Sequence, residues 1–241
     1  MKKMSTLHRM LAATLLAGSA LVVAAPAHAS VFITEFSYQS AVSDEKGEYI
    51  ELTNTGVTDV DFTGWSYDDD SRTSLTFNLS EFGVVRAGES VIITEIDPDL
   101  FRTRWNLDSS VKVIGFMAPN FARADEVNIY DAQLNLVDRL TYGDNTIGGV
   151  RPRFNAARPG SFAELGQNNI HGWVLSSVGD ADGSWTSTVG DVGSPGFSSL
   201  VTPVPEPEAY ALLLAGLGLV GGAVARRRRT AALPALVPAA A

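Results

Sequence analysis

No cysteine occurs anywhere in the 241 residues. That removes disulfide staples, thiol nucleophiles and cysteine-ligated zinc together, so any folded body has to stand on its core. Histidine is nearly as scarce. Of three, His8 and His28 fall within the first thirty residues, and only His171 lies beyond them. A single histidine rules out the usual histidine zinc clusters, and beside Gly172-Trp173 it reads as a polar loop residue rather than a general base. No Gly-x-Ser-x-Gly elbow is present either, so the common hydrolase nucleophile is missing. Positive charge is short across the middle of the chain. Residues 30–205 hold 11 Lys and Arg against 25 Asp and Glu, a net charge of −14. A body this acidic repels a phosphate backbone, which sets nucleic acid aside as a partner.

What is present begins at the two ends. Lys2, Lys3 and Arg9 precede an apolar run over residues 10–25, and Ala27-His28-Ala29 places small residues at both positions a signal peptidase requires. This predicts a signal peptide over residues 1–29, cut before Ser30, and a chain that leaves the cytoplasm. At the other end, residues 209–225 carry no charge. As a helix those residues extend roughly 25 Å, near the minimum for crossing a bilayer. Arg226, Arg227, Arg228 and Arg229 follow and act as a stop signal at the cytoplasmic face. The expected layout is a Pro/Glu linker over 201–208, one transmembrane helix over 209–225 and a basic cytoplasmic tail over 226–241. Gly216-Leu-Gly218-Leu-Val-Gly221 fits the dinucleotide fingerprint letter for letter. It lacks the preceding strand and βαβ setting that the fingerprint needs, so it belongs to the apolar segment.

Pro205-Glu206-Pro207, the apolar segment and the arginine cluster, in that order, closely resemble the PEP-CTERM sorting signal of exopolysaccharide-producing Gram-negative bacteria. The resemblance implies that Pro205, Glu206 and Pro207 form the region recognised and processed by a membrane peptidase, exosortase. It also implies a precursor held transiently in the inner membrane, then a product at the cell surface or outside, among exopolysaccharide and biofilm. The tail from Thr230 to Ala241 runs on past the point where such signals usually stop.

Between the signals, short apolar-polar runs recur with turn residues between them, the pattern of an antiparallel all-β body. Residues 31–36, 48–53 and 75–79 alternate with period two, and 90–94 is more continuously apolar, as a strand buried on both faces would be. Further strands are expected within 111–116, 126–130 and 136–142, with 131–135 as the turn between the last two. Asp97-Pro98-Asp99 ahead of Leu100, Phe101 and Trp105 predicts the one helix, with aspartate capping and proline in the first turn. Residues 145–161, rich in Gly, Pro, Asn and Arg, predict a long loop. The aromatic residues Phe162, Trp173, Trp185 and Phe197 beyond it suggest a chain returning to close the same core.

Several pieces of this body resemble the lamin tail domain, an immunoglobulin-like sandwich. They are Ile33-Thr-Glu-Phe36, Gly47-Glu-Tyr-Ile-Glu-Leu-Thr-Asn54, Val60-Asp-Phe-Thr-Gly-Trp65, Arg86-Ala-Gly-Glu-Ser-Val-Ile-Ile93, Leu136-Val-Asp-Arg-Leu-Thr-Tyr142 and Gly193-Ser-Pro-Gly196. The expected architecture is an immunoglobulin-like β-sandwich over residues 30–200. Alternation places Ile50 and Leu52 in the core, with Glu48 and Glu51 at a strand edge or facing solvent. Gly64 lets the chain bend before Trp65 enters the hydrophobic centre.

Two acidic runs, Asp68-Asp-Asp70 and Asp180-Ala-Asp182-Gly183, resemble incomplete calcium loops, and a solvated acidic turn is the default for both. No cofactor is expected. The resemblance implies a non-catalytic interaction or structural module, exported, sorted by exosortase and displayed at or released from the surface. The rival reading is an extracellular hydrolase acting on glycan or phosphoester through an acidic, calcium-assisted cleft. Acidic residues from distant strands meeting in one concave pocket with raised pKa values would favour the rival.

Overall fold

Ile50 and Leu52 leave their strand in one direction, and Tyr49, Glu51 and Thr53 in the other. In the computed structural model, which describes residues 31–42, 47–201 and 213–220, this alternation divides the body into two packed layers and a covering. Strand β2 (Tyr49–Asn54) is flanked by β1 (Val31–Ser37) and β7 (Ser90–Thr94), both antiparallel to it. Beyond β1 lie β11 (Ala157–Pro159) and β12 (Trp173–Leu175), and beyond β7 the short parallel strand β8 (Val113–Ile114), giving the order β12-β11-β1-β2-β7-β8. A second sheet orders β10 (Leu136–Gly143), β9 (Ala124–Tyr130), β4 (Ser66–Asp68) and β5 (Phe77–Asn78). Two ribbons complete the strands, β3 (Val60–Asp61) with β6 (Val84–Val85) and β13 (Trp185–Thr186) with β14 (Val192–Gly193).

The main core fills the space between the two sheets. Ile33, Phe36, Leu52 and Ile93 from the first meet Tyr67, Ile129, Leu140 and Tyr142 from the second. Full burial of one such aliphatic side chain contributes about 1.5–3 kcal/mol, so this layer is the main source of stability. Trp65 lies at its margin, stacked on Phe62 at 4.3 Å between ring centroids and 9% exposed. Gly64 precedes it at φ +81, a backbone setting that suits glycine.

The far face of the six-stranded sheet is covered too. Helix α1 (Pro98–Trp105) lays Phe101 and Trp105 over Tyr49, Ile92 and Val113. Its N-terminus matches expectation, because the Asp97 carboxylate accepts from the amides of Asp99 and Leu100 at 2.9 and 3.1 Å. Leu100, however, is exposed, so the apolar face rests on Phe101 and Trp105.

Other expectations need correction. The strand expected over 75–79 shrinks to Phe77–Asn78 and that over 111–116 to Val113–Ile114. Leu75 and Phe116 adopt positive φ (70° and 58°), which ends extended backbone. Both side chains are exposed. The region 145–161 is not wholly loop, since β11 within it pairs with β1 at Phe36–Ala157. Among the later aromatics, Trp173 joins the main core and Trp185 packs against the second cluster. Phe162 and Phe197 stay largely exposed. Of the expected membrane segment, residues 213–220 are described; they are helical and exposed. No helix among the described residues is long and apolar enough to cross a membrane.

Candidate functional site

The site with the most unusual chemistry lies on the covered face of the six-stranded sheet. β1 does not alternate cleanly. A bulge between Ile33 and Glu35 turns Thr34 and Glu35 to the same side, then returns Phe36 to the core. Glu35 thereby stands directly opposite Glu51 of β2. Both are sealed from solvent, at 1% and 0% exposure. This overturns the expectation that Glu51 sits at a strand edge or faces solvent, since its strand is paired on both sides. The physical reason is the second covering layer. Glu48 does lie near the strand end, where its carboxylate accepts the Phe121 amide at 2.8 Å.

Every oxygen of this pair is occupied. Glu35 accepts from the Tyr49 hydroxyl at 2.8 Å, the Ser176 hydroxyl at 2.9 Å and the Ser194 amide at 3.0 Å. Glu51 accepts from the Thr34 hydroxyl at 2.6 Å and the Gly196 amide at 2.7 Å. A third buried carboxylate, Asp182, accepts the Ser199 amide at 2.9 Å. Residues 193–199 therefore form a strap whose backbone is pinned at three points by acidic side chains from β1, β2 and the turn after β12. Gly193 is required by the crowding, because a β-carbon there would collide with the Tyr49 hydroxyl.

Burial pushes the Glu35 carboxyl up to about 8, helped by the Glu51 charge and opposed by its hydrogen bonds from Tyr49, Ser176 and Ser194. Burial likewise raises Glu51 to about 7, against its bonds from Thr34 and Gly196. Tyr49 is raised well above the usual phenol range by burial and then by the Glu35 charge. Thr34, Thr53 and Ser90 continue outward from Glu51 as a row of hydroxyls 2.6 and 2.7 Å apart. Ser90 and Gly196 line an open depression of about 390 Å³ bordered by Arg86, Gly88 and Glu89. Neither buried glutamate lines it.

The two suspected calcium runs behave differently from solvated turns. Asp68 is buried and accepts from the Ser71 hydroxyl and the Thr73 amide. Asp69 and Asp70 instead approach Asp125 of β9, with oxygens within 4.8 Å of one another, the one group among the described residues with metal-like spacing. In the second run, Asp180 is engaged by Arg158 at 3.1 Å and by the amides of Asp182 and Ser184. Arg158 also reaches Asp182 at 3.6 Å. Asp180 thus organises its own turn, and Asp182 holds the strap through Ser199. His171 is exposed, its amide held by the Asn169 side chain.

Ala27, Ala29 and Ser30, Pro205, Glu206 and Pro207, and Arg226 to Arg229 all lie outside the described residues. Sequence reasoning missed the roles of Glu35, Tyr49 and Glu51. Their signal was a charged residue inside an otherwise apolar strand, together with a distant Gly-Ser-Pro-Gly segment rich in free amides.

Two sheets, antiparallel except for the β7–β8 pair, packed around a main core and closed by a late strap, define an immunoglobulin-like β-sandwich. The chain belongs to the Lamin Tail Domain family, whose model matches residues 24–144. The PEP-CTERM protein-sorting motif matches residues 203–229, the mark of an exported protein processed by exosortase. No curated protein matches the chain.

Proposed function

We propose that this chain is made with a cleaved signal peptide, held in the inner membrane by residues 209–225, and released or displayed at the surface after exosortase acts at Pro205-Glu206-Pro207. Its lamin tail body then serves as a non-catalytic interaction or structural module in an exopolysaccharide matrix. The observation that carries this reading is position. The sorting motif begins at residue 203, directly after the strap that closes the body.

The buried glutamates support a structural role. Two adjacent carboxyls with raised pKa values would suit acid–base chemistry in a cleft. Here they are sealed, and their oxygens hold the protein's own backbone. The rival reading, a glycan or phosphoester hydrolase with a calcium-assisted cleft, draws on the group of exposed Asp70 with half-buried Asp69 and Asp125, where burial and then the Asp70 and Asp69 charges raise the Asp125 carboxyl.

Fractionation of a producing cell tests the sorting. Replacing Arg226 to Arg229 with neutral residues should weaken retention at the membrane, and replacing Pro205-Glu206-Pro207 should trap the full precursor there. Unchanged release from both variants would contradict the proposal.

A further inference from the structure

We propose that Glu35 and Glu51 form a proton-operated latch on residues 193–199, closed while both carboxyls are neutral and loosened when both lose their protons. The latch stands on the folded body and does not depend on the sorting reading.

Geometry makes the case. The two carboxyls face each other across neighbouring strands, a placement in which like charges repel. None of the described basic side chains forms an ion pair with either. Arg158 of β11 is committed to Asp180 and Asp182, and Arg104 of α1 acts on Asp191. The remaining ionisable groups here are Tyr49 from β2, which bonds Glu35, Asp182 from the turn after β12, whose charge acts on Glu51, and Asp191 from the segment before β14, whose charge acts on Tyr49. All three add negative or neutral character. With both glutamates charged, the strap therefore closes over adjacent negative charges that have no buried cation to balance them.

The sign follows from the direction of the shifts. Both carboxyls sit well above the ordinary 4.5, at about 8 and about 7. The stability that they contribute is fully present below the ordinary value and is lost as pH rises through the folded values. A route for the proton exists without unfolding. The hydroxyls of Thr34, Thr53 and Ser90 link Glu51 to the depression, which Gly196 of the strap also lines.

Amide hydrogen exchange on the full chain, expressed as protection factors from about pH 5.5 to about pH 8.5, tests this. Peptides covering 193–199 should lose protection about tenfold across that window, while β9 and β10 peptides hold theirs. Glu35→Gln with Glu51→Gln should flatten the strap's profile. Infrared difference spectra of the unaltered protein should show the carbonyl band of a buried protonated carboxyl disappearing over the same window. Strap protection that stays level with pH, or falls equally in the double variant, overturns the latch. If the variant does not fold, the unaltered protein's exchange and infrared profiles decide alone, and a missing carboxyl band overturns it equally.

Discussion

Gly193 passes so close to Tyr49 that the glycine's missing side chain is what allows the tyrosine hydroxyl to reach Glu35. The contact joins the second strand of the sheet to a segment more than 140 residues later. A β-carbon at position 193 would have to displace Tyr49 or the strap itself. Gly193→Ala should therefore destabilise the body by about 1–3 kcal/mol, the usual cost of overpacking. Urea unfolding followed by tryptophan fluorescence checks it, and a loss below about 0.5 kcal/mol would mean the strap has room to move aside.

Trp65 stacks on Phe62, which in turn meets Phe82 edge-on at 5.7 Å. Trp65→Ala removes the outer member of that row and opens a cavity. A loss of about 3–5 kcal/mol is expected in the same unfolding measurement. Because Trp65 sits at the margin of the core, a value near the lower end fits best.

Acid should weaken the opposite side of the sandwich. Burial raises the Glu126 carboxyl, but hydrogen bonds from Arg72, Asn128 and Thr141 and the Arg139 charge outweigh that and lower it to about 2. A depressed carboxylate contributes stability above its ordinary pKa and loses it as pH falls through the folded value. Unfolding midpoints should drop between about pH 4.5 and about pH 2, and Glu126→Gln should shrink that drop. An unchanged acid limb in the variant would remove Glu126 from the explanation.

Calcium should leave thermal unfolding unchanged, because Asp68, Asp180 and Asp182 already spend their oxygens on the protein's own donors. Saturating a real site at a hundred times its Kd would add roughly 2.7 kcal/mol, an easily seen rise in Tm. Such a rise, abolished by Asp125→Ala, would show that Asp69, Asp70 and Asp125 bind the ion.

Much of the sandwich was legible because apolar alternation and turn chemistry are local. β2, β7, β9, β10 and the capped helix lie close to where periodicity puts them. The strap chemistry was not legible, for two physical reasons. Strict period two at residues 33–36 cannot foresee a bulge that turns Thr34 and Glu35 to one side. Alternation also marks Glu51 as outward, and outward normally means wet. Only the long-range return of residues 176–199 and the packing of α1 make that face dry. β5 and β8 fell short because positive φ at Leu75 and Phe116 leaves no trace in apolar patterning.

Mass spectrometry of the extracellular form reads both ends of the mature chain and tests the sorting proposal most directly. An N-terminus at Ser30 and a C-terminus within Pro205-Glu206-Pro207 are the expected result. Recovery of only chains that still end at Ala241 would contradict exosortase processing of this protein.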